Sequence, residues 1–341
     1  MTAETIEAMP YGVPYGATAH RPDWSSLPAD LREFVQARLG QPVVGAVTQG
    51  GGFTSGFASR LLLGDGSRVF VKAVSSSQSP DVFAFYDQEA RVAAALPARV
   101  PAPTLRWAAK YGQWLVLVFD DVAGRIPERP WRADELAAVL DMLPLLAAGL
   151  TPAPPGLPNL GTTADVDHNF SFWRRLAAGE CGADPLPVAA SWVGQLGVLA
   201  ALESDWAALA AGQTGAHFDL RDDNILLADD GRVLVCDWNW LTLAAPWVDL
   251  VGLLISVHGD GHDAQALLAA HPLAVGVSPR AVDAFLAAVA GNWAEEAAKA
   301  SAPADYSPWM RTYQAWRRDA ALSWLALRLR LRSLPVPAVA E

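Results

Sequence analysis

Between His217 and Asp237, three polar residues recur at a spacing that only a tight local fold can bring together. The segment reads His217-Phe218-Asp219-Leu220-Arg221-Asp222-Asp223-Asn224, continues through Ile225-Leu226-Leu227-Ala228-Asp229-Asp230-Gly231, and returns as Arg232-Val233-Leu234-Val235-Cys236-Asp237. Asp-Gly between two apolar runs signals a β-hairpin. The loop before the hairpin presents Asp219 and Asn224 on one side, and the hairpin brings Asp237 back beside Asn224. An amide oxygen and a carboxylate converging beside a phosphate suit Mg²⁺. Asp219, held apart from the metal, can accept a proton from a hydroxyl.

The flanking chain sets the fold class. Residues 1–25, with Pro10, Pro14 and Pro22, read as an irregular arm. Leu27–Leu39 reads as a short helix ended by Gly40. A β-rich tract follows: Val43–Thr48, then Gly50-Gly51-Gly52-Phe53-Thr54-Ser55-Gly56, a strand, the turn Gly64-Asp65-Gly66, and a strand containing Val69-Phe70-Val71-Lys72. Phe83–Leu96 has helical spacing, and strands are expected at 104–110 and 114–119. Asp120-Asp121-Val122-Ala123-Gly124 marks a composition break, read as a hinge. Beyond residue 130 the chain is Ala-rich, with helices expected over 133–148, 169–180, 187–211, 246–257, 262–271, 279–299 and 308–332. The expectation is an α+β protein: an arm over 1–25, a small β-rich lobe over 26–119, and a helical lobe over 120–341.

The segment 217–237 resembles the catalytic core of the protein-kinase-like superfamily, and the phrase DLRDDNILL with Asp237-Trp238 is similar to the aminoglycoside phosphotransferase family in particular. The resemblance implies a two-lobe kinase-like fold. It assigns Asp219 the role of catalytic carboxylate and makes Asn224 and Asp237 the Mg²⁺ ligands. Lys72 resembles the lysine that grips the nucleotide phosphates, with Glu89, seventeen positions on, as its helix partner. Gly51, Gly52, Thr54 and Ser55 fall where the family covers the phosphates, although the pattern is not Gly-x-Gly-x-x-Gly. Val118, Phe119 and Asp120 fall where backbone groups meet the base. Asp249 resembles an acid that braces the catalytic loop.

The implied reaction moves a phosphoryl group from ATP or GTP to a hydroxyl of a small molecule, with an antibiotic as the first candidate. A sugar, a choline-like alcohol, an amino-acid alcohol, or an inactive nucleotide-binding module remain alternatives. A protein acceptor is disfavoured, because no Gly stands two positions after Asp237 and Pro246 follows after only nine.

Composition narrows the partners. A net charge of −11 repels nucleic-acid backbones. Residues 185–202 carry no charge over the minimum length of a membrane span, but Pro187, Gly194, Gln195 and Gly197 interrupt them, so a buried helix is expected. The start of the chain lacks the basic and apolar regions of a secretory signal, and two cysteines suit a reducing compartment, which points to the cytoplasm. Asp222 and Asp223 read as a solvated loop face. His258-Gly-Asp-Gly-His262-Asp263 reads as a loop rather than a metal site, because its glycines break any helix. Glu295-Glu296 read as an exposed face, Trp309, Tyr313, Trp316 and Trp324 as a core stripe, and Arg328, Arg330 and Arg332 as charges complementing a helix end. The sequence is silent on oligomeric state.

Overall fold

A computed structural model describes residues 8–333, apart from 10–11, 159–160, 183–187, 190–191, 193, 300–301 and 304. Five strands, β3 (Val43–Thr48), β4 (Phe57–Leu63), β5 (Arg68–Ser75), β6 (Leu105–Tyr111) and β7 (Trp114–Asp120), form an antiparallel sheet in the order β3-β4-β5-β7-β6. Both faces of this sheet are covered, which explains its nearly unbroken apolar runs. Val69, Val71, Val116 and Val118 face helix α1 (Ala29–Leu39) through Leu31 and Val35. Val74, Leu115, Leu117 and Phe119 face helix α2 (Pro80–Ala95) through Val82, Tyr86 and Ala90. Side chains alternate along a strand. Lys72, between Val71 and Ala73, therefore points to the α2 face, where Glu89 stands.

The arm is more ordered than expected. Ala8–Met9 (β1) and Val13–Pro14 (β2) pair as a small hairpin, and the chain beyond lies against the Gly-rich segment. Residues 1–7 lie outside the described residues.

The C-terminal region is helical, with α3 (Ala133–Gly149), α4 (Phe172–Ala177), α5 (Leu196–Glu203), α6 (Trp206–Leu209), α7 (Val248–Gly259), α8 (Ala264–Ala270), α9 (Pro279–Ala297) and α10 (Met310–Ser333). The single helix expected over 187–211 is instead two short ones within the described part, divided at Ser204-Asp205. The helix expected over 169–180 shortens to six residues behind a 3-10 turn. Part of the uncharged run 185–202 lies outside the described residues, and among those described no helix is long and apolar enough to cross a membrane. Short strands escaped the sequence reading: Gly124–Arg125 (β8), Gly161–Thr162 (β9), Thr214–Ala216 (β10) and Thr242–Ala244 (β13). They make two small sheets with the expected hairpin, β11 (Ile225–Ala228) and β12 (Val233–Val235).

Small residues let α9 sit deep in this core. Trp173 is fully buried and donates its indole N–H to the Ala287 carbonyl at 2.9 Å. Glu203, also fully buried, accepts the N–H groups of Trp173 and Arg174 at the start of α4. Burial pushes its carboxyl up to about 7 although those bonds oppose the rise. Arg328 does not merely complement a helix end. Its guanidinium is buried against Asp283 at 2.7 Å, which corrects the sequence reading. Trp316 and Trp324 are core residues. Glu295 pairs with Arg175, and Glu296 with Lys299 and Arg311.

Two glycines in helices test the packing with opposite signs. A Cβ at Gly252 in α7 meets nothing within 4 Å. Gly252→Ala should therefore gain up to about 1 kcal/mol of stability from helix propensity. A Cβ at Gly291 in α9 would lie 2.6 Å from Glu203 Oε1 and 2.8 Å from Trp173 Nε1. Overpacking of roughly 1–3 kcal/mol there exceeds the same propensity gain. Urea unfolding should show Gly252→Ala above and Gly291→Ala below the parent protein; equal shifts would refute this account of the core.

Candidate active site

The strand that carries Lys72 meets the hairpin that carries Asp237. Lys72 Nζ lies 2.5 Å from Glu89 Oε2 and 2.8 Å from Asp237 Oδ1. Tyr86, one helical turn before Glu89, places its ring 4.6 Å from the same nitrogen. Burial works against the Lys72 charge, but Asp237 and then Glu89 reverse that and raise its pKa. Burial also opposes the Asp237 charge, yet Lys72 holds that carboxyl down to about 2. Burial pushes Glu89 up to about 7 in spite of Lys72, and Asp237 adds to the rise. Asp237 keeps 32% of its side-chain surface open, against 3% for Glu89.

The loop between β10 and β11 is held from below. Asp249, at the start of α7, accepts the N–H groups of His217 and Phe218, each at 2.8 Å. Those bonds hold Phe218 in the left-handed region at φ 66°, a conformation that persists only where surrounding structure imposes it. His217 is fully buried. Its Nδ1 accepts the Asp219 N–H at 3.3 Å, which leaves Nε2 to donate to the Cys236 carbonyl at 3.0 Å. Asn224 donates its amide N–H to the Asp219 carbonyl at 2.9 Å, and Cys236 N–H returns to the Asn224 carbonyl at 2.9 Å. One hydrogen-bonded frame thus carries Asp219, Asn224 and Asp237. Asp237 is itself left-handed, at φ 67°.

Mg²⁺ fits this donor set. Asn224 directs its amide nitrogen to Asp219, so its oxygen is the end left for a metal. Asp237 contributes the partly open carboxylate. One carboxylate and one amide oxygen leave most positions to water and phosphate, as Mg²⁺ prefers.

Other expected residues sit differently. Val118 and Phe119 lie inside β7, paired with β5 on one side and β6 on the other. The Asp120 N–H goes to the Thr104 carbonyl. Asp120, the last residue of β7, stands opposite Val69 of β5. Ser55 donates its N–H to the Asp305 carbonyl, and Thr54 bridges to Tyr306, so this end of the Gly-rich segment is engaged by the chain before α10. The carbonyls of Gly51 and Gly52 are taken by the arm.

Asp222 is not on a solvated face. It is buried and pairs at 2.7 Å with Arg129, whose other edge grips Asp260 at 2.5 Å. Asp260 belongs to the His258–Asp263 segment. There His262 bonds the Trp131 carbonyl while His258 turns to Ser323. Among the described residues no three or more His, Cys, Asp or Glu side chains gather as a metal site. Asp223 pairs with Arg221 at 2.9 Å, and Arg221 reaches Asp219 Oδ2 at 3.3 Å between the rings of Phe53 and Tyr313. The pairing of Arg129 with Asp222 and Asp260 escaped the sequence reading, as did the rings of Phe53 and Tyr313 around Arg221, because these partners lie far along the chain.

A model of a phosphotransferase enzyme family matches residues 52–285. No curated protein matches the chain. Among solved structures, a thermostable mutant of aminoglycoside phosphotransferase APH(4)-Ia in ternary complex with ADP and hygromycin B is 15% identical. That match covers 87% of this chain and 98% of that one, with a TM-score of 0.59. LicA in complex with AMP is 14% identical over 88% and 100% of the two chains, TM-score 0.55. Macrolide 2'-phosphotransferase MphH from Brachybacterium faecium is 16% identical over 87% and 98%, TM-score 0.52. At these identities the likeness is one of fold.

The Lys72–Asp237 pair gives a signed pH dependence. The Asp237 carboxyl lies below its unfolded value, so its contribution to stability is complete above about pH 4 and is lost as pH falls towards about 2. The stability difference between the parent and Asp237→Asn, read from urea titrations, should shrink as pH falls below about 4. A difference that stays constant down to pH 2 would contradict the pairing.

Proposed function

The chain belongs to the phosphotransferase enzyme family, and from that premise we propose that it moves the γ-phosphate of ATP or GTP to a hydroxyl of a small molecule. The observation that carries the reading is Lys72 Nζ held between Glu89 and Asp237, within the frame that also carries Asp219 and Asn224. Residues 26–119 form the nucleotide lobe of this reading, and 120–341 supply the catalytic loop and acceptor site. Asp219 takes the proton of the acceptor hydroxyl as its oxygen attacks phosphorus. The bond from phosphorus to the bridging oxygen breaks, and the nucleoside diphosphate leaves with that electron pair. Lys72 holds the phosphates by charge. Mg²⁺ on Asn224 and Asp237, when bound, neutralises further phosphate charge. The protein contributes positioning and a preorganised field rather than a covalent step.

The similar structures have been solved with ADP and hygromycin B and with AMP, and one is a macrolide phosphotransferase. These structural relatives support an antibiotic hydroxyl as the first acceptor class to test. Sugars and choline-like or amino-acid alcohols are the alternatives. The nucleotide supply and the two free cysteines favour the cytoplasm as the place of reaction.

A panel of aminoglycosides, macrolides and small alcohols with γ-labelled nucleotide and Mg²⁺ should yield one phosphorylated product. Asp219→Asn should slow that transfer by about 10²-fold or more while nucleotide affinity stays close to the parent's. EDTA should stop transfer, and added Mg²⁺ restore it. An unchanged rate in Asp219→Asn removes the role given to Asp219; nucleotide binding without transfer to any acceptor favours a binding module.

A further inference from the structure

The Gly-rich segment is gripped from outside the sheet by the N-terminal arm. Ala19 N–H donates to the Gly50 carbonyl at 2.9 Å. Arg21 donates through one guanidinium nitrogen to the Gly51 carbonyl at 2.9 Å and through another to the Gly56 carbonyl at 2.6 Å. Thr18 Oγ1 donates to the Gly52 carbonyl at 2.5 Å. Three consecutive carbonyls, Gly50, Gly51 and Gly52, therefore point at one short stretch of arm.

A trans peptide is planar, and its N–H points opposite to its C=O. Fixing those three carbonyls towards the arm turns the N–H groups of Gly51, Gly52 and Phe53 away from it. Among the described residues, these three N–H groups have no protein acceptor. Consecutive N–H groups sharing one side make an anion-binding concavity, and Gly52 supplies the positive φ, +85°, that such a turn needs. The segment also lies next to the Lys72 pair. A Cβ at Gly56 would lie 2.5 Å from the Tyr86 hydroxyl, whose ring carries Lys72 Nζ.

The glycines record the same contact. A Cβ at Gly50 would lie 2.8 Å from the Gly16 carbonyl, and one at Gly52 would lie 2.9 Å from the Arg21 guanidinium. The arm is anchored in turn. Val13 packs with Phe53, Tyr313 and Trp316, and the Tyr15 hydroxyl donates to the Pro127 carbonyl at 2.6 Å. Ser307 Oγ donates to the Thr18 carbonyl at 2.6 Å.

We propose that residues 13–21 are part of the nucleotide site, and that Arg21, with Thr18, is a positioning residue that turns the 51–53 amides towards the phosphates. The inference rests on the phosphotransfer reading and adds the device that presents its phosphate loop. Arg21 touches no reacting atom. It acts through the peptide planes it holds.

The test separates phosphate recognition from general folding. Calorimetry should compare Mg-ATP and Mg-GTP with adenosine and guanosine on the full chain, for the parent, Arg21→Ala, Arg21→Lys and Thr18→Val. Arg21→Ala should weaken binding of the preferred triphosphate by about tenfold or more, the size expected for losing charge-assisted bonds. It should leave the matching nucleoside unchanged. Arg21→Lys, which reaches one carbonyl rather than two, should fall between, and Thr18→Val should weaken the triphosphate alone. Triphosphate affinity unchanged from the parent in Arg21→Ala and Thr18→Val, or equal losses for triphosphate and nucleoside, would overturn the arm's role and leave the phosphotransfer reading standing. A parent protein that binds no nucleotide would remove both.

Discussion

Lys72 is the point on which the arrangement turns. Its ammonium is buried, and an isolated buried cation is costly; two carboxylates from different parts of the chain remove most of that cost. One comes from the helix that packs on the sheet, the other from the hairpin set among the C-terminal helices. The pairing therefore fixes α2 against the sheet and the sheet against the hairpin together. A nucleotide phosphate entering this site offers the same cation another anionic partner.

Most other buried charges serve the scaffold. Arg129 ties the loop after β8 to Asp222 of the catalytic loop and to Asp260 beyond α7. Asp249 holds two backbone N–H groups that would otherwise stand unpaired beneath that loop. Arg328 and Asp283 lock the last two long helices together. Removing one partner from such a pair leaves an uncompensated buried charge, which is why these networks position more than they stabilise. The acids near Asp219 that read as a solvated loop face, Asp222 and Asp223, each answer an arginine of the protein itself.

The Gly-rich segment shows how one composition serves two demands. Glycine there meets the steric needs of the arm at Gly50 and Gly52, and of Tyr86 at Gly56, whereas a Cβ at Gly51 meets nothing within 4 Å. Reading glycines as room for phosphate alone would miss the chain on the other side.

Local patterns determined much of this protein. The hairpin around Asp229-Asp230-Gly231, the alternation that turns Lys72 towards Glu89, and the spacing from Asp219 to Asn224 are consequences of neighbours along the chain, so the sequence displays them directly. The α+β division and the main helices are legible for the same reason: periodicity is a short-range property. Beyond Lys72 and Glu89, tertiary structure alone decided which distant groups meet. Arg129 finds Asp222 across 93 positions, Arg21 spans Gly51 and Gly56, and β7 runs on through Asp120 because β5 and β6 pair with it. Such contacts are chosen by the packing of distant elements, and a buried charge has the same letter in the sequence as a solvated one.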